Sequence, residues 1–373
     1  MEQLFKKIGL ILFFSLGILL MRRGLRSGPG LVGAIDEPTK VELTITNWFN
    51  GSFQDYFNNN VELLHFYRHT LVRINNEIEL QIFNKCSENN GIKGKNGYFF
   101  QKDAWESLYK PCRKEEEIKN HIKQLSQLQS QLNSEGKNLL YVIPASKTLS
   151  CNKYLKSPFL PRELNSPNIY DLYIKYLRLY EIQHIDFQKW FSENQDLYQH
   201  PLFPKNGAHW STYCSGIALD SIINRFEKIN NRKYARVSYD SVINSTELKN
   251  PEGDLLWTLN LLIPPNTDTL AYPVYKKDPN NKTRLNLLAI SDSYFNNFTY
   301  SEMMSLYLDP KSKYWYYGKS NYNNKSEWIN DVTKEDYKEA FKEHDNILIM
   351  SCSQKLKTYS FGLFNKMDPS PKN

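Results

Sequence analysis

Cysteine, long apolar runs and clustered charge are all scarce in this sequence of 373 residues. The five cysteines, Cys86, Cys112, Cys151, Cys214 and Cys352, are odd in number and include no Cys-x-x-Cys pair, which excludes a complete disulfide framework. Cys86 and Cys112 can still pair in an oxidising compartment. No apolar run reaches the roughly 20 residues that cross a bilayer. The N-terminal run Ile8–Met21 comes nearest, with 14 residues and basic flanks. The body of the chain has no basic block: of the net charge of +7, four units come from the residues before position 35. That distribution argues against a nucleic-acid partner. His65 and His69 stand four apart, as two ligands on one helix would, but no further ligand accompanies them and the sequence builds no metal site.

Aromatic residues, in contrast, are plentiful: 14% of the chain, with 25 Tyr and 20 Phe, a content that belongs to a folded protein and not to a disordered one. The length suffices for one large domain or two ordinary ones. Ile8–Met21 suits a signal-peptide core or a short signal anchor, and Val32-Gly33-Ala34 fits a small-residue cleavage site. Residues 1–34 therefore read as anchor and linker, and residues 35–373 as one domain.

Within that domain the periodicity alternates. Glu115–Leu132 carries Ile118, Ile122, Leu125, Leu128 and Leu132 at spacings of three and four, which predicts an amphipathic helix. Gly136 stops it, and the apolar run Leu139–Ile143 follows as a strand ended by Pro144. The rhythm returns with a helix over Ile169–Tyr180, a strand in Glu181–Phe187, a helix over Ser211–Glu227 and strands at Leu285–Ile290 and Asn346–Met350. Strands separated by helices imply an α/β fold, a mostly parallel sheet between two helical layers. Residues 230–283, rich in Asn, Asp, Lys and Pro, read as an insertion, and Lys311–Asp331 as an irregular surface segment.

In such a sheet, ligands bind beyond the carboxyl ends of the strands. Ser291-Asp292-Ser293 stands at one of those ends, directly after Leu285–Ile290, and Ser293 is the candidate nucleophile. His209, in His209-Trp210-Ser211 at the entry to a helix, is the candidate base. Ser291 and Asp292 shape the turn, and the Ser293 or Tyr294 backbone N–H is the candidate oxyanion donor.

Several segments in order carry a family resemblance. They are Gly94-Lys95-Asn96-Gly97-Tyr98-Phe99-Phe100, Leu140 to Lys147, Ile185-Asp186-Phe187, His209-Trp210-Ser211, Pro251-Glu252-Gly253-Asp254-Leu255 and Leu287 to Ser293. Together they span about residues 92 to 352, and their order resembles that of the SGNH-hydrolase-like alginate O-acetyltransferase family of the AlgJ/AlgX type. The resemblance implies a three-layer α/β/α domain that transfers acetyl groups to a polysaccharide through an acyl-serine, with no cofactor. It also implies a membrane-embedded partner that exports acetyl groups, and a periplasmic or otherwise extracytoplasmic site of action; residues 8–21 would then anchor the chain to the inner membrane, or leave it secreted if they are cleaved off.

The sequence departs from the family pattern Asp-x-His-Trp at one position, where Gly207 replaces the aspartate. The alternative Asp-x-x-His register puts Asn206 there, able to orient the imidazole of His209 but not to stabilise its charge. Asp186 or Asp254 could also reach His209, and spacing does not choose between them. Two other readings therefore stay open: an esterase that gives the acyl group to water, and a catalytically silent relative that binds glycan or scaffolds an export complex.

Overall fold

The computed structural model describes residues 31–32, 41–60, 62–86, 91–161, 163–277 and 282–367. Ile8–Met21 and Gly33-Ala34 lie outside the described residues, as does the side chain of His65. No helix among the described residues is long and apolar enough to cross a membrane.

The described residues divide into two compact units, one of those before residue 89 with Trp257–Pro264 and one of the rest. The first is built on helix α1 (Glu62–Gln81). Its buried Asn76 donates from Nδ2 to the Leu259 carbonyl at 2.9 Å, and Asn260 exchanges two hydrogen bonds with the Val32 backbone. Those amides tie residues far apart in sequence into one body.

The second unit opens with an antiparallel pair, β1 (Gly91–Lys93) and β2 (Phe99–Gln101). Helix α2 (Glu115–Ser134) leads into β3 (Asn138–Ile143), and α3 (Ile169–Leu179) leads into β4 (His184–Asp186). Helix α4 (Thr212–Asn230) is followed by the antiparallel pair β5 (Tyr239–Ser245) and β6 (Leu270–Tyr275), and then by β7 (Leu287–Ser291). Strands β8 (Lys313–Tyr316), β9 (Ser320–Tyr322), β10 (Trp328–Asp331) and β11 (Asn346–Met350) complete the order. Seven strands form the central sheet in the order β10-β9-β8-β7-β11-β3-β4. The five from β8 to β4 run parallel, and β9 and β10 add antiparallel pairs at one edge.

The core follows from the period-2 alternation of strands buried on both faces. Leu140, Val142, Leu287, Ala289, Leu348 and Met350 point to one face and pack with Leu219, Ile222, Ile223 and Phe226 of α4. Leu139, Tyr141, Ile143, Leu288, Ile290, Ile347 and Ile349 point to the other, against Ile118, Ile122 and Leu125 of α2 and Leu172 and Leu177 of α3. This is the expected three-layer arrangement with a mostly parallel sheet. Register places Ser291 beside Met350, and Met350 beside Val142, so three parallel strands end at one rim.

Two expectations need correction. Lys311–Asp331 is no irregular segment but holds β8, β9 and β10, with Tyr314 and Trp315 buried. Its Tyr, Asn and Lys residues hide the alternation because tyrosine serves both as core and as surface. The strand expected over Glu181–Phe187 is only His184–Asp186, since Phe187 already begins a helix capped by the Asp186 carboxylate.

Candidate active site

The Ser293 turn is fixed by Asp292. Strand β7 ends at Ser291, and the fully buried Asp292 accepts hydrogen bonds from the Tyr294 N–H at 3.0 Å and the Cys352 N–H at 2.7 Å. Its carboxylate thus ties the turn to the segment just after β11. Burial pushes its pKa up, opposed by these N–H donors. The backbone carbonyl of Asp292 accepts from the buried Tyr314 hydroxyl at 3.0 Å. Ser293 then opens a single 3-10 turn, Ser293–Phe295, with its side chain half-exposed. Because the Tyr294 N–H is taken by Asp292, the Ser293 N–H is the backbone donor left at the head of the turn.

His209 is presented by the loop before α4. Ser211 caps that helix, accepting from the Cys214 N–H at 3.1 Å, while its hydroxyl donates to the Pro201 carbonyl at 2.9 Å. Trp210 is wholly buried, edge-on to both Phe187 and Tyr294. A cap on one side and an anchored indole on the other leave His209 pointing to the sheet rim.

His209 Nε2 lies 2.8 Å from Ser293 Oγ, and Nδ1 lies 2.7 Å from Asp254 Oδ2. A carboxylate can only accept, so Nδ1 carries the hydrogen and Nε2 accepts the Ser293 proton. The second oxygen of Asp254 accepts from the Ala208 N–H at 2.7 Å and the Leu255 N–H at 2.8 Å. One carboxylate therefore holds both the imidazole and the backbone beside it. The Tyr294 ring closes one side of the imidazole at 4.8 Å between centroids.

Gly207 gives this acid its access. A Cβ at position 207 would lie 2.5 Å from the Glu252 carbonyl oxygen and 2.8 Å from its carbon, both backbone atoms. The Pro251–Asp254 turn thus packs where a side chain would otherwise stand. Glu252, itself fully buried, accepts from the Thr212 N–H at 2.7 Å and pins that turn to the start of α4.

Asn206 does not fill the orienting position that the sequence offered it. It is buried, its Oδ1 and Nδ2 have no hydrogen-bond partner among the described residues, and Nδ1 of His209 is taken by Asp254. Asp186 lies elsewhere, accepting from the Tyr170 hydroxyl and the Lys189 N–H. Ser291 is buried with its hydroxyl on the Asp292 carbonyl and its own carbonyl accepting from the Tyr317 N–H at 2.7 Å.

That last bond introduces a residue the sequence did not flag. Tyr317 follows β8 in the left-handed region, with φ of 51°, and its side chain neighbours Ser293. Burial and the nearby Asp292 charge push its pKa up, so it keeps its proton and can donate. Its signal was lost with the misread segment around it. Among the described residues no group of three or more His, Cys, Asp or Glu is placed to hold a metal ion.

Against known proteins, a family model described as an SGNH hydrolase-like domain, acetyltransferase AlgX, matches residues 92–290. No curated protein matches at a significant level. Solved structures similar to this chain include the O-acetyltransferase domain of Pseudomonas putida AlgJ, at 13% identity and a TM-score of 0.49. That likeness covers 76% of this chain and 96% of that one. Bacillus cereus PatB1 is similar at 12% identity and a TM-score of 0.45, over 73% of this chain and 99% of its own. Pseudomonas aeruginosa AlgX is similar at 12% identity and a TM-score of 0.44, over 76% of this chain and 68% of its own.

Proposed function

Because the chain belongs to the SGNH hydrolase-like, AlgX-type acetyltransferase family, we propose that it is an O-acetyltransferase acting on an extracytoplasmic polysaccharide through an acetyl-Ser293 intermediate. One observation carries this reading beyond family membership. Ser293, His209 and Asp254 form an unbroken hydrogen-bonded chain at the carboxyl rim of the sheet.

Ser293 Oγ attacks the carbonyl of an acetyl donor as His209 Nε2 takes its proton. Asp254 holds the other ring nitrogen and stabilises the imidazolium that forms. The negative oxygen of the tetrahedral intermediate is met by the Ser293 N–H and the Tyr317 hydroxyl. Collapse returns the proton to the leaving group and leaves acetyl on Ser293. In the second half a sugar hydroxyl gives its proton to His209, attacks the acetyl carbonyl and departs acetylated, restoring the serine.

The acetyl donor at this site is supplied by a membrane-embedded partner that exports acetyl groups, and Ile8–Met21 holds the chain at that membrane. A catalytically silent role is disfavoured because the orienting carboxylate missing at Gly207 is provided by Asp254. The test is to give the full-length protein an activated acetyl ester, with and without a polysaccharide acceptor. The proposal expects Ser293-dependent acetyl on the glycan. Acetate release that ignores the acceptor would make it an esterase, and turnover unchanged in Ser293→Ala would remove the enzyme reading.

A further inference from the structure

Lys147 is 2% exposed, yet among the described residues its ammonium has no carboxylate within ion-pair distance. Its three donors meet three backbone carbonyls of one loop: Pro204 at 3.0 Å, Lys205 at 3.1 Å, and Gly207. An ammonium has three N–H groups and no acceptor, so this set is complete. The loop so gathered is the one that presents His209.

The Gly207 contact matters most. The Gly207 carbonyl and the Ala208 N–H belong to the same peptide group. Lys147 holds its oxygen and Asp254 holds its hydrogen. A cation and an anion therefore grip one peptide from opposite ends, and that peptide directly precedes the base. Burying the ammonium is costly, and a lysine of structural convenience would reach water along its flexible stem.

We propose that Lys147 is a positioning residue for the reaction: its ammonium fixes the Gly207–Ala208 peptide against Asp254, and loss of that charge slackens the His209–Ser293 pair. This rests on the reading of His209 as the base. A neutral amine has two hydrogens for three carbonyls, leaving one buried oxygen unpaired. Burial lowers the lysine pKa to about 8, opposed by Cys151 and Asp254. Cys151, at the end of the same short helix, has its own thiol pushed up to about 11 by burial. From β2 the ammonium meets only the Phe100 ring, at 5.4 Å, and Lys205 on the loop turns to Asp268. An alkaline limb near pH 8 in the reactivity of Ser293 follows from this lysine.

Labelling of Ser293 in the full-length protein by a fluorophosphonate reports the base without needing donor or glycan. Wild type should lose rate above pH 8, and Lys147→Met should label about 10- to 100-fold more slowly at pH 7 with no further alkaline fall. Equal rates and equal profiles in the two proteins would overturn the proposal. Because Lys147→Met could misfold, a second readout uses wild type alone. The low-field proton NMR signal of His209 Nδ1–H should weaken as the Lys147 ammonium, followed by its own side-chain nitrogen resonance, loses its proton, and a signal constant through that titration would overturn the proposal. A wild-type Ser293 that is never labelled would instead refute the proposed function, and the NMR titration would still decide the role of Lys147.

Discussion

Asp254 reaches His209 from 45 residues downstream, with Oδ2 2.7 Å from Nδ1, and enters over a glycine. The carboxylate stands on the turn whose backbone lies against Gly207. Loss of the side chain at 207 and supply of the acid by a second turn are one structural arrangement.

Asp254→Asn should therefore lower acyl transfer by about 10⁴ with the fold intact, as removal of an orienting carboxylate does in serine hydrolases. Asn206→Ala should stay within a few-fold of wild type, because its side chain is not part of the chain to Ser293. Single-turnover acylation of the two variants separates these cases. Equal losses would return the orienting role to Asn206.

Gly207→Asp restores the family pattern on paper, yet it should not restore or improve activity. Any Cβ there meets backbone 2.5 Å away, which cannot rotate aside as a side chain would. Gly207→Ala alone should cost about 1–3 kcal/mol of stability and displace Asp254. Chemical unfolding and acylation rate, measured on both variants, check the two halves of this expectation.

Tyr317→Phe removes one donor from the proposed oxyanion site while keeping the ring beside Phe361. Turnover should fall by about 10²–10³ with little change in KM, since the bond strengthens only as charge develops. A change confined to KM would place Tyr317 in acceptor binding instead.

His121 offers a test of stability away from the site. Burial lowers its pKa to about 3, and Nε2 pairs with the Ser360 hydroxyl at 3.0 Å. Between about pH 3 and 6.5 the unfolded chain takes a proton that the folded one refuses. Stability must fall as pH drops through that window, by up to about 1.4 kcal/mol per unit, and is fully present above it. Unfolding of His121→Gln should show a shallower acid dependence than wild type between pH 6 and 4.

The two partners that define the site by local sequence, Ser293 and His209, were legible because each sits at a boundary with a strong neighbour. One follows a buried strand, and the other precedes a capped helix. Helix α2 was legible through its stripe from Ile118 to Leu132, all of it buried. Asp254 was legible only as one of two acids, with Asp186, that could reach His209, because an orienting acid is chosen by which turn packs on the base loop, and periodicity carries no trace of that contact. Tyr317 was hidden with β8 to β10, where tyrosine and asparagine sit on both faces of the strands. The bond between Lys147 and three carbonyls is invisible for a plainer reason: its acceptors are backbone atoms and bear no sequence signal.

The most direct test of the account is the mass of Ser293 after the full-length protein meets an activated acetyl ester and is quenched within one turnover. The account predicts an added acetyl group on Ser293 in wild type, strongly reduced in Asp254→Asn and absent in His209→Ala. Acetyl accumulating equally in wild type and Asp254→Asn, or on no serine at all, would contradict it.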